Sequence, residues 1–129
     1  MILALRTDEP ESEIGLYVNG EEVAYLKWYA HRQLAETIHQ KLQDTLDSRG
    51  KKWADVAGVV VYRGPGSFTG LRIGMSVANA LAYSLGVPVV GASGDNWLID
   101  GFAALQAGRG DASAVPEYGS AANVTKPKK

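Results

Sequence analysis

A nearly unbroken apolar run, Val56 to Val61, leads into the glycine-punctuated segment Tyr62-Arg63-Gly64-Pro65-Gly66-Ser67-Phe68-Thr69-Gly70, and no other stretch constrains the fold as tightly. An apolar run of this length reads as a strand covered on both faces of a sheet. Beyond the turn, Leu71, Val77, Ala78, Leu81 and Leu85 recur at helical spacing. Gly64 and Gly66 permit backbone angles or close approaches that a side chain would block, Pro65 stiffens the turn, and Ser67 or Thr69 can cap the helix. The unit is therefore strand, tight turn, helix.

The flanking sequence supplies the other elements. Met1 to Leu5 forms a first strand, and Asp8-Glu9-Pro10-Glu11 a turn. Ile14, Leu16 and Val18 alternate, Asn19-Gly20 suits a tight hairpin turn, and Val23 to Trp28 returns, so three antiparallel strands open the chain. Leu34, Ile38, Leu42 and Leu46 recur every four residues in a helix over His31 to Ser48, with Gly50 as its stop and Lys51-Lys52 as a solvated link. Gly86 and Pro88 close the second helix, Val87 to Gly91 is a final strand, and Ser93 or Asp95 caps a last helix holding Trp97, Leu98, Phe102 and Leu105. The order defines an α/β domain of the ribonuclease H-like kind, also found in each lobe of actin-like ATPases: a mixed five-stranded sheet with flanking helices.

Composition narrows the function. With 129 residues the chain suffices for one core, expected over residues 1–107, and its 108–129 end, rich in small residues and finishing in a basic run, reads as an extended or mobile tail. Thirteen basic against 14 acidic side chains leave no dominant electrostatic footprint for nucleic acid. The absence of cysteine excludes disulfides, thiol nucleophiles and thiolate metal sites. The start is too short for a signal-peptide core and no run reaches membrane-spanning length, so a cytoplasmic location and no membrane partner are expected.

The segment Gly64-Pro65-Gly66-Ser67-Phe68-Thr69-Gly70-Leu71-Arg72-Ile73-Gly74 resembles the signature of the bacterial TsaB family, formerly called YeaZ. The first strand, the helix start at His31 and Gly86-Val87-Pro88-Val89-Val90-Gly91 extend the resemblance over roughly residues 1 to 105. The resemblance implies an actin-like fold and a non-catalytic scaffold role in making threonylcarbamoyladenosine beside the tRNA anticodon. It further implies dimerisation with the paralogous catalytic subunit, TsaD, joined by a small ATPase, TsaE, with tRNA reached through the complex and a homodimer as another assembly. ATP and magnesium would then belong to the partner complex, the chain having no cofactor of its own.

Two departures bear on chemistry. Relatives commonly carry Asp-Thr at the end of the first strand, whereas here Arg6 precedes Thr7, and a cation cannot coordinate magnesium; Asp8 shares a face with Arg6 by strand alternation. The usual second lobe of the family is also expected to be absent, and a lone lobe is expected to bind nucleotide weakly. The alternative function is a residual nucleotide hydrolase of the actin-like superfamily using the glycine turn and Asp8. Ribonuclease H chemistry needs converging carboxylates, and Arg6 and Arg63 stand at the strand ends where acids would serve.

The glycine turn has two readings, an anion site at a helix N-terminus or simply the geometry of a tight turn, and the missing P-loop lysine favours the second. Gly70, Gly74 and Ala78 form a smooth stripe at four-residue intervals, which can face the chain's own sheet or another helix. Given the resemblance, a partner interface is expected through Leu34, Ile38, Leu42, Gly70, Gly74 and Ala78, in a four-helix contact that Gly74→Leu would obstruct while leaving much of the sheet intact. Arg63 and Arg72 flank the turn as contacts for a carboxylate or phosphate. His31 and His39 lie too far apart for adjacent-turn zinc ligation.

Overall fold

The computed structural model describes residues 1–30, 34–66 and 68–108. Its elements run β1 (Ile2–Arg6), β2 (Glu11–Val18), β3 (Glu21–Tyr29), α1 (Leu34–Ser48), β4 (Gly58–Gly64), α2 (Phe68–Leu85), β5 (Val89–Ser93) and α3 (Trp97–Gln106). The five strands form one sheet in the order β3-β2-β1-β4-β5, with β1 antiparallel to β2 and parallel to β4. This is the mixed α/β sheet of a ribonuclease H-like, actin-like lobe.

Each early element follows from local chemistry. Asn19 (φ 53°) and Gly20 (φ 80°) both take positive φ, which the two-residue β2–β3 hairpin requires and which Asn and Gly tolerate. Helix α1 stops where Gly50 turns left-handed (φ 65°): the Gly50 N–H donates to the Asp47 carbonyl and the Lys51 N–H to that of Leu46, at 3.1 and 2.9 Å. The link after it is not wholly extended. Trp53–Asp55 make a 3-10 turn whose Trp53 indole donates to Gln43 at 2.8 Å and stacks on His39 with ring centroids 5.6 Å apart.

Two cores flank the sheet. Leu3, Leu5, Ile14, Leu16, Val59 and Val61 face α1 and α2, while Ala4, Val60, Tyr62 and Ala92 meet Trp97 and Phe102 of α3. The run in β4 is therefore continuous because alternate residues serve opposite cores. Gly101 lets α3 approach closely, since a Cβ there would lie 2.4 Å from Val60 Cγ1.

Two expectations are corrected. Leu34, Ile38 and Leu42 are 4%, 1% and 0% exposed, and Ala78 is 0% exposed, so these side chains are spent on the chain's own core rather than held out to a partner. Helix α3 starts from Asn96, without a side-chain capping bond, rather than from Ser93 or Asp95, because β5 extends through Ser93 and Gly94 (φ 79°) turns the chain first. His31 and Ser67 lie outside the described residues, as does the expected tail beyond Gly108.

Candidate functional site: the β1 end and the glycine turn

Strand β1, central in the sheet, delivers Arg6, and then Thr7 and Asp8, to the carboxyl end of the parallel strands where the glycine turn enters α2. The parallel pairing of β1 with β4 places them there. Arg6 Nε donates to Asp8 Oδ1 at 2.8 Å and its Nη2 to Oδ2 at 3.3 Å, a two-pronged pair whose acidic side chain is only 6% exposed. The guanidinium carbon sits 3.9 Å from the centroid of the Tyr62 ring. The Tyr62 hydroxyl in turn donates to the Pro65 carbonyl at 2.9 Å. Burial acts against the Arg6 charge, but the hydrogen bond to Asp8 and its negative charge outweigh that cost and raise the Arg6 pKa.

The glycines are fitted to this strand end. Gly64 takes φ 115° and precedes a cis peptide bond to Pro65. A Cβ on Gly66 would lie 2.5 Å from Asp8 Cβ, one on Gly70 would lie 2.0 Å from the Thr7 carbonyl oxygen, and one on Gly74 would lie 2.1 Å from Thr7 Oγ1. Thr7 Oγ1 donates to the Gly70 carbonyl at 2.7 Å. Of the two readings of the small-residue stripe, the structure realises the one in which it faces its own sheet. A leucine side chain at Gly74 would press on Thr7 at the end of β1 rather than on a partner helix.

The remaining site residues separate. Thr69 lies in the first turn of α2 rather than before it. Arg63 reaches toward Ser93, at 3.5 Å between Nη1 and Oγ, and lines a hollow with Asp100, whereas Arg72 is exposed on α2 beside Ala35 and Ser76. The two arginines therefore do not converge on one anion. Among the described residues no group of three or more His, Asp or Glu side chains is placed to hold a metal ion, and no helix is long and apolar enough to cross a membrane.

Sequence reasoning missed two polar features. Tyr25 donates its hydroxyl to Glu13 on the sheet face opposite α1 and α2, a cross-strand contact that only register reveals. Ser12 is 1% exposed, and its Oγ has no hydrogen-bond partner among the described residues. Its phase with Ile14 and Leu16 was the available signal, since that phase puts a hydroxyl on the buried face.

Together the sheet order, the strand-turn-helix unit and the packed β1 end define a lobe of the ribonuclease H-like and actin-like class. The family model described as "TsaD: tRNA N6-adenosine threonylcarbamoyltransferase" matches residues 28–101, more than half of the chain. The TsaB protein of Escherichia coli (strain K12) is 34% identical over 92 residues, covering 71% of this chain and 39% of that protein. The TsaB protein of Haemophilus influenzae is 32% identical over 89 residues, covering 69% and 37%. The structure of YeaZ from Pseudomonas aeruginosa superposes with a TM-score of 0.66 at 32% identity, covering 71% of this chain and 43% of that one. The chain belongs to the TsaB/YeaZ family, whose curated relatives carry names of tRNA threonylcarbamoyladenosine biosynthesis. It spans about two-fifths of the length of the TsaB relatives it matches.

Proposed function

We propose that the chain acts as a non-catalytic scaffold subunit in tRNA threonylcarbamoyladenosine formation, supporting a TsaD-like catalytic partner in the cytoplasm. One observation carries the reading: Asp8, the carboxylate nearest the glycine turn, is already held by Arg6 through both of its oxygens, with the Gly66 backbone packed against its Cβ. A carboxylate so engaged is poorly placed to bind magnesium or activate water, which favours assembly over chemistry. ATP and magnesium then belong to the partner complex, which a TsaE-like ATPase joins and through which tRNA is reached.

The partner surface moves outward from the expected stripe. Beside α1, helix α2 presents Arg72 and Ser76 exposed, with Ile73 and Val77 half-buried around a hollow that also touches Ala35. Small and apolar groups rimmed by a cation suit a helix-to-helix contact.

The test is reconstitution with the TsaD-like and TsaE-like proteins and tRNA. Modified tRNA should form only when this chain is present, and Val77→Glu should abolish co-purification with the TsaD-like subunit while leaving the circular dichroism spectrum unchanged. Magnesium-dependent ATP hydrolysis by the chain alone would instead establish the residual hydrolase reading.

A further inference from the structure

A cavity of about 350 Å³ opens between the β1–β2 connection, the end of β3 and the first turns of α1 and α2. Its walls are apolar where Ala30, Leu34 and Ile73 meet, and three buried polar side chains, Thr7, Asp8 and Ser12, also line it. Two of them are engaged. The Thr7 hydroxyl is given to the Gly70 carbonyl, and both Asp8 oxygens face Arg6. Ser12 Oγ is left, 1% exposed and without a partner among the described residues. Burying a hydroxyl unpaired is unfavourable, so a site retaining one is suited to an incoming donor or acceptor.

Charge selects which. The first turn of α2 favours an anion, but Glu9 is exposed in the lining, Asp8 lies beside it, and no described lining residue is basic. With Asp8 neutralised by Arg6, the Glu9 carboxylate is the uncompensated charge among the described lining residues. Apolar walls, a hydroxyl and a carboxylate are complementary to a long basic side chain, whose methylene stem packs while its head hydrogen-bonds. The cavity also shares Thr69 and Ile73 with the hollow between α1 and α2. A helix lying in that hollow is thus adjacent to the cavity.

We propose that this cavity receives a lysine or arginine side chain of the TsaD-like partner subunit, its head hydrogen-bonded to Ser12 and paired with Glu9. The proposal rests on the scaffold reading above and adds the anchor that fixes the partner's register. In calorimetric titration with the TsaD-like subunit, Ser12→Ala should weaken binding about 10-fold without lowering the Tm of the chain, because the lost hydroxyl has no hydrogen-bond partner among the described residues. Glu9→Lys should weaken it about 10-fold and flatten its salt dependence. Normal binding by both variants would overturn the anchor and leave the scaffold reading standing. If the wild-type chain does not bind the TsaD-like subunit, both fall. A homodimer of this chain that Ser12→Ala and Glu9→Lys dissolve would make the occupant a second copy, which also overturns the assignment.

Discussion

The hydroxyl of Thr7 donates to the carbonyl of Gly70 at 2.7 Å, joining the end of β1 to the first turn of α2 across 63 positions of sequence. The same hydroxyl lies where a Cβ on Gly74 would be, and the Thr7 carbonyl lies where a Cβ on Gly70 would be. One residue thus dictates two glycines. The stripe that resembled a docking face is a mould of a strand end.

Gly70→Ala and Gly74→Ala are accordingly expected to destabilise the lobe itself by about 1–3 kcal/mol through overpacking against backbone and a fixed side chain. Urea unfolding followed by circular dichroism measures this, and an unchanged midpoint for both variants would refute the close-packing account. Thr7→Val, which keeps the shape but removes the donor, should cost about 1 kcal/mol, while Thr7→Ser should retain most of that stability.

Arg6→Met removes the partner of a nearly buried carboxylate and the cation over the Tyr62 ring. Arg6 is itself partly exposed, so the expected loss is about 1–3 kcal/mol, below that of a fully buried pair. Arg6→Lys should recover only part of it, because an ammonium cannot reproduce the two-pronged geometry. Equal stability of the lysine variant and the wild type in thermal denaturation would contradict this.

Alkaline stability follows from two tyrosines. Burial pushes the Tyr17 hydroxyl up to about 12, with Glu22 and Glu13 opposing its ionisation, and Tyr25 is also raised, by burial and by its hydrogen bond to Glu13. A phenol that holds its proton more tightly when folded contributes stability fully below pH ~10, and that contribution is lost as pH rises from there toward the folded value. The Tm should therefore fall above pH ~10, and Tyr25→Phe should reduce the slope. Absorbance at the tyrosinate band should show two tyrosines titrating late in the folded chain.

Gly101→Val is expected to lift α3 from β4, since the added Cβ would occupy the place of Val60 Cγ1. Trp97, 5% exposed on α3 and edge-on to Tyr62 at 5.7 Å, reports the change. Its fluorescence should shift to longer wavelength, and an unshifted spectrum would show that α3 accommodates the side chain.

Much of the fold was readable along the chain because its signals are local. Alternation in Ile14, Leu16 and Val18, positive-φ residues at Asn19-Gly20 and the four-residue repeat of α1 each act within a few positions. The strand-turn-helix unit at Gly64 was legible for the same reason, and so was the family. The pairing of Arg6 with Asp8 was only partly visible, since alternation put them on one face without saying that they bond. The burial of Leu34, Ile38 and Leu42 was legible as an apolar stripe, but the stripe does not name what covers it.

The sequence by itself therefore determined the elements, their order and the class of lobe, because backbone preference and hydrophobic period are properties of short segments. Only the tertiary structure decided which way the glycine stripe faces, that Arg6 engages Asp8, and that Ser12 finds no hydrogen-bond partner among the described residues. These depend on distances between segments far apart in the chain. No local pattern specifies whether a small residue makes room for another molecule or for a strand of its own sheet.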